Sequence, residues 1–190
     1  MEKRTKTFGG VGYILVLASM VLGFMLPGIN GIISIAGFVL ILLAYLNLAR
    51  EFSDPDIKSL TIKSIIFGVA AAALIVIAVV TGFAAVFKAS ASEGAQSAAT
   101  GLSVGMVLLG IAAYGLLVVS SYFWYKVNEL LAAHTKMDMF KTGGLLQFIG
   151  TIGSIIIVGG ILVLVGYILL TVAFFSAEEV ETAQPMPPTG

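Results

Sequence analysis

Apolar residues run through this chain in four long blocks, and the charged ones are confined to the gaps and the ends. Thr7–Ala49, Ser64–Phe87, Gly94–Tyr125 and Thr142–Ala177 contain no Lys, Arg, Asp or Glu. A helix needs about 20 apolar residues to cross a bilayer, so the two middle blocks predict one crossing each. The first and last blocks are too long for one. In the first, Pro27-Gly28-Ile29-Asn30-Gly31 predicts a turn, because Pro fixes φ while Gly and Asn accept conformations a helix refuses. In the last, Gly159-Gly160 predicts the break. The expected fold is an all-α, polytopic transmembrane bundle of six helices arranged as three hairpins. Its helices are expected at about 6–26, 31–49, 63–87, 101–125, 136–158 and 161–177.

Local signals refine the ends. Asp54 is placed to N-cap the third helix, with Pro55 at its first position and Asp56 where the helix dipole favours a negative charge. The small, polar segment Ser90–Thr100 reads as a loop. The fourth helix is expected to continue as a cytoplasmic stub to about Ala133. Thr135-Lys136-Met137-Asp138 resembles a capping box for the fifth helix, with Asp where Glu is usual. The Pro-rich end has no apolar periodicity, so residues 1–178 form the helical domain and 179–190 a disordered cytoplasmic tail.

Charge then gives an orientation. Over the whole chain 59% of residues are hydrophobic and 11% charged, against roughly a quarter charged in a soluble domain. With six crossings, Lys3, Arg4, Lys6, Arg50, Lys58, Lys63, Lys126, Lys136 and Lys141 share one side, and Lys88 faces the other. That asymmetry predicts a multi-pass protein of the cytoplasmic membrane with both termini in the cytoplasm. The basic start followed by apolar residues could be a signal peptide, but the apolar run continues into a second full span without a small-residue cleavage site, so a retained anchor is expected.

Where water does not drive association, small residues let helices approach closely. Gly9, Gly12, Val16, Ser19 and Gly23 form one such stripe, and Gly143, Gln147, Gly150 and Ser154 another. Gly101 and Gly105 form a G-x-x-x-G pair that Ala112 extends, and Gly68 shares a face with Ala72. The first and last hairpins also align. An offset of 131 pairs Gly12 with Gly143, Ser19 with Gly150, Gly23 with Ser154 and Gly28 with Gly159; past the turn, an offset of 129 pairs Gly31 with Gly160, Gly37 with Gly166 and Ala44 with Ala173. A parallel duplication explains this, and chance alignment of glycine-rich sequence is the alternative.

The chemistry is mostly exclusion. With no cysteine and one histidine, disulfides, thiolate sites and histidine metal clusters are ruled out. A net charge of zero offers no attraction to nucleic acid. No expected span carries an ionisable group, which argues against proton relays and voltage sensing. No nucleophile has a base partner visible in sequence, no phosphate-binding loop is present, and no cofactor or enzymatic activity is expected. Gln147 and Tyr114 are the candidate polar contacts inside the membrane. Each is expected to hydrogen-bond a neighbouring helix, contact with a solute being the sharper alternative. Ser120 and Ser121 are expected to bond back to their own helix. His134 is expected to be a solvated or helix-capping residue rather than a pH sensor.

Met139-Phe140-Lys141-Thr142-Gly143-Gly144-Leu145-Leu146, Ile155-Ile156-Ile157-Val158-Gly159 and the closing Ala173-Phe174-Phe175-Ser176 resemble the end of a membrane-protein family catalogued as Domain of Unknown Function 996. Lys6-Thr7-Phe8-Gly9-Gly10-Val11-Gly12 and Phe52-Ser53-Asp54-Pro55-Asp56-Ile57 are similar to it as well. The resemblance covers about residues 5–177 and implies a prokaryotic, mainly archaeal, membrane protein without implying an activity. The expected role is that of a non-enzymatic structural or accessory subunit, contacting lipid and other membrane subunits or itself. A small permease or channel for a neutral solute is the alternative.

Overall fold

The computed structural model describes residues 1–23, 29–91, 96–155 and 157–178, with side chains withheld at 29, 85–91, 96–103, 155 and 157. Six α-helices account for nearly all of them: α1 (Lys3–Leu22), α2 (Ile29–Glu51), α3 (Pro55–Ala91), α4 (Gln96–Thr135), α5 (Asp138–Ile152) and α6 (Ile157–Ser176). There is no strand among the described residues. Every helix but α5 is long and apolar enough to cross a membrane. With its 15 residues, α5 spans about 22 Å at 1.5 Å per residue, less than the ~30 Å hydrocarbon core.

The helices pack as three hairpins, α1–α2, α3–α4 and α5–α6. α4 also lies against α5, and α6 returns to α1, so the six close into a ring whose thinnest seam is between α2 and α3. Met1, Glu178, the α2–α3 turn and the α4–α5 turn gather at one end, here the terminal end; the opposite end is the distal one. The basic residues on α1, on the first turns of α3 and α5, and on the last turns of α2 and α4 all belong to the terminal end, as the charge pattern predicts.

α1 ends at Leu22, capped by Gly23, and not at about 26, and two further regions differ from the expectation. The last apolar block does not break at Gly159-Gly160. α5 ends at Ile152, a 3-10 turn follows at Gly153–Ile155, and both glycines lie inside α6. Gly153 caps α5, its N–H bonding back to Ile149 and Thr151. Gly159 serves close approach instead: a Cβ there would lie 2.1 Å from the Gly153 carbonyl. The Ser90–Thr100 loop also contracts, because α3 runs on to Ala91 and α4 begins at Gln96. Ala is the strongest helix former, and this segment holds several; 92–95 lie outside the described residues, as do the centre of the first turn (24–28) and the expected tail (179–190).

The turns at the terminal end explain themselves locally. Asp54 caps α3 as expected, its Oδ1 accepting from the N–H of Asp56 at 2.8 Å and of Ile57 at 3.4 Å. The capping box for α5 is not formed. Met137 is the N-cap, without a side-chain bond, and the Thr135 hydroxyl donates backward to the Leu131 carbonyl at 2.7 Å. Lys136, with φ 55°, and Ser53, with φ 50°, reverse the chain in the left-handed region.

Glycines set the helix crossings. A Cβ on Gly12 would lie 2.8 Å from the Gly37 carbonyl oxygen, and one on Gly37 would lie 2.8 Å from that of Gly12. In the last hairpin a Cβ on Gly143 would lie 2.8 Å from Leu170 and 3.1 Å from the Gly166 oxygen, and one on Gly166 would lie 2.8 Å from the Gly143 oxygen. Gly12 with Gly37 and Gly143 with Gly166 are the pairs related by the two offsets read in sequence, so the two hairpins cross at equivalent points. The buried core sits near the terminal end, around Tyr13, Tyr45, Leu48, Ile57, Phe140 and Phe174. Toward the distal end α3 and α4 stand clear, with Val76, Val80, Phe83, Val107, Leu108 and Ile111 exposed.

Candidate functional site

Inside the ring lies a cavity of about 570 Å³, lined by residues of all six helices. Its floor toward the terminal end is aromatic. Trp124 packs on Tyr45 with ring centroids 4.4 Å apart, and Tyr13 lies 5.7 Å from Tyr167. A chain of hydrogen bonds ties this floor together. The Tyr13 and Tyr45 hydroxyls are 2.9 Å apart, Tyr45 donates to Asn128 Oδ1 at 2.6 Å, and Asn128 Nδ2 donates to the Trp124 carbonyl at 2.8 Å. Asn128 is fully buried, held where a Cβ on Gly144 would meet its own at 2.7 Å. The floor therefore bridges α1, α2 and α4 and closes the cavity at that end.

On the wall formed by α3 and α4, Ser64 and Ser120 clasp each other. Ser64 Oγ lies 2.9 Å from the Ser120 carbonyl, and Ser120 Oγ donates to the Ser64 carbonyl at 2.8 Å. Ser121 and Thr151 bond back to their own helices, to Val118 at 2.9 Å and Gln147 at 2.8 Å. The expectation for Ser121 thus holds, whereas Ser120 reaches across to α3. Among the described residues no charged side chain lines the cavity.

Gln147 is the exception among these satisfied groups. It lines the cavity, is 6% exposed, and its Nε2 has no hydrogen-bond partner among the described residues. Its position follows from α6: Gly166 lets the two helices approach until a Cβ there would lie 2.8 Å from Gln147 Cγ. Tyr114, the other candidate, does not join it. Its hydroxyl donates to the Ile152 carbonyl, one of the carbonyls a helix end leaves free, and it does not line the cavity.

The candidate packing residues divide. Gly9 admits the Phe174 ring, which a Cβ there would meet at 2.2 Å, so it serves the α1–α6 contact. Gly12, Gly143 and Gly150 make intrahairpin crossings, the last against Val163 and the Gly159 carbonyl. Ser19 is buried and bonds to its own Val16 carbonyl at 2.7 Å. Gly23 closes α1 beside Asn30. Ser154 belongs to the 3-10 turn rather than to the stripe of α5. Gly101 lies on α4 where side chains are not described, and a Cβ on Gly105 would meet no other helix within 4 Å among the described residues.

Sequence reasoning overlooked Asn128 and the Tyr13–Tyr45 pair. The available signal was an uncharged Asn immediately past an apolar block, two residues from Lys126. His134 is also more engaged than expected. It stacks on Phe52 with centroids 4.7 Å apart and pairs with Asp54 at 2.8 Å. That bond holds the Asp54 carboxyl below its ordinary value. Nearby, the Lys126 ammonium hydrogen-bonded to Glu129 does the same for that carboxyl.

A family model described as a protein of unknown function, DUF996, matches residues 33–168. The chain belongs to the DUF996 family. An uncharacterized protein of Methanocaldococcus jannaschii is 34% identical over 174 residues, which cover 92% of each chain. No solved structure matches. The DUF996 match takes in every residue that lines the cavity except Tyr13 and Val16 on α1.

Proposed function

We propose that this DUF996 protein is a non-enzymatic accessory subunit of a membrane assembly, with both termini in the cytoplasm, docking through the distal part of α4. The observation that carries the reading is the fate of the glycine stripes. Those of α1 and α5 are filled by neighbouring helices, whereas a Cβ added at Gly105, Gly110 or Gly115 on α4 would meet no atom of another helix within 4 Å among the described residues. Gly105, Ala112 and Gly115 share one face, and Leu108 between them is 62% exposed. Such a face suits the backbone of a partner's transmembrane helix. Gentle extraction followed by native mass spectrometry tests it. A stoichiometric partner, lost in Gly105→Leu, supports the reading; a chain that emerges alone in both forms rejects it.

The cavity favours a second reading, a small permease for a neutral solute, since a pathway through a bundle must be lined by several helices and here all six contribute. Liposome flux that Gln147→Leu abolishes would support it.

A further inference from the structure

We propose that the cavity is a laterally accessible binding site for an uncharged, membrane-soluble amphiphile, whose hydroxyl or carbonyl head accepts a hydrogen bond from the Gln147 amide while its chain lies along the α2–α3 seam. The inference is independent of whether the protein has a partner or moves a solute.

The first ground is the unpartnered amide. Buried donors in native proteins are almost always satisfied, and an exception calls for an occupant. A water molecule there would need about two to four polar partners. The flanking hydroxyls of Ser64, Ser120, Ser121 and Thr151 direct their hydrogens to carbonyls, that of Tyr13 is engaged with Tyr45, and no oxygen among the described residues lies within hydrogen-bond reach of the amide. An acceptor carried in on a ligand meets the need directly.

The second ground is the position of the mouth. Of the residues that line the cavity, the exposed ones all lie on α2 and α3: Ile35, Phe38, Val69 and Ala72. Ile35 is 67% exposed and Val69 61%, and these two helices form the thinnest seam of the ring. An opening rimmed by Ile, Phe, Val and Ala, midway along apolar helices, admits a molecule from lipid rather than from water.

The third ground is charge and size. With no charged lining residue among the described residues, a phosphate or carboxylate head would be buried without a counter-ion, which is strongly unfavourable. The volume of about 570 Å³ falls in the ordinary range for small-molecule sites, roughly 300–1,000 Å³.

Trp124 is the one tryptophan of the chain and lies on the cavity wall, so its emission reports occupancy. The full chain in nanodiscs is titrated with 2-bromohexadecan-1-ol and, separately, with 1-bromohexadecane, bromine being the quencher. The expected result is saturable quenching by the alcohol with at least about five-fold weaker binding of the alkane, a preference worth roughly one hydrogen bond. Gln147→Leu should bring the alcohol down to the level of the alkane. Val69→Phe, at the exposed mouth, should weaken both probes without changing the melting temperature. Quenching that rises without saturation would mean annular lipid only and would overturn the proposal. Equal binding of both probes would mean tail filling only and would overturn it too, a comparison that stands on the wild-type protein even if Gln147→Leu fails to fold.

Discussion

Gly12 and Gly143 occupy equivalent crossings, and the atoms they face decide what a substitution there would do. At Gly12 a new Cβ would meet the Gly37 carbonyl and the Ile41 backbone nitrogen, neither of which can rotate away. Gly12→Val should therefore destabilise the protein by about 1–3 kcal/mol, the usual cost of overpacking, read as a lower unfolding midpoint in detergent. Gly10→Ala should be milder, because the obstacle is the ring of Phe175, an exposed side chain. Tyr45→Phe breaks the link between Tyr13 and Asn128 and leaves Asn128 Oδ1 buried without its donor, which should cost about 1–2 kcal/mol. Gln147→Leu should go the other way in the empty protein and raise its midpoint, since it replaces an unsatisfied donor with an apolar group of similar size. Gln147 was legible as the polar member of a small-residue stripe. Its lack of a partner was not, because that depends on what α6 and α4 place around it.

At the scale of elements, the α2–α3 turn is latched to the end of α4 by the Asp54–His134 pair. The folded-state value of Asp54 is depressed, with the His134 hydrogen bond the leading cause. Its contribution is therefore present in full above the ordinary aspartate value of 3.8 and is lost as pH falls through the lower folded value. Unfolding midpoints measured downward from pH 5 should fall less steeply in His134→Ala than in the native chain. Lys136→Gly should raise stability by about 1 kcal/mol, since a left-handed residue with a side chain carries that penalty. The start of α3 could be read from Asp54-Pro55-Asp56, because caps are local. The α5–α6 break could not. Gly153 and Gly159-Gly160 are equally good breakers in isolation, and only the packing of one against the other assigns the turn to the first and the crossing to the second.

For the molecule as a whole, the hairpins and the shared end of the basic residues followed from block lengths and charge alone. The closure of the ring by α1 and α6 did not, since nothing local in either helix names the other. The chain contains no cysteine, so a single introduced one reports its own surroundings. Lys58→Cys and Lys136→Cys should react with an impermeant maleimide from the same side of a sealed vesicle, and opposite sides would reject the shared terminal end. Closure also has a consequence for synthesis. Gly9 and Gly10 on α1 are fitted to Phe174 and Phe175 on α6, which are nearly the last residues of the helical region to leave the ribosome. Through most of translation the first helix must wait in the bilayer with that face uncovered. Nascent chains stalled before residue 174 should remain sensitive to a membrane protease at α1, and protection should arrive in one step when the final helix is released.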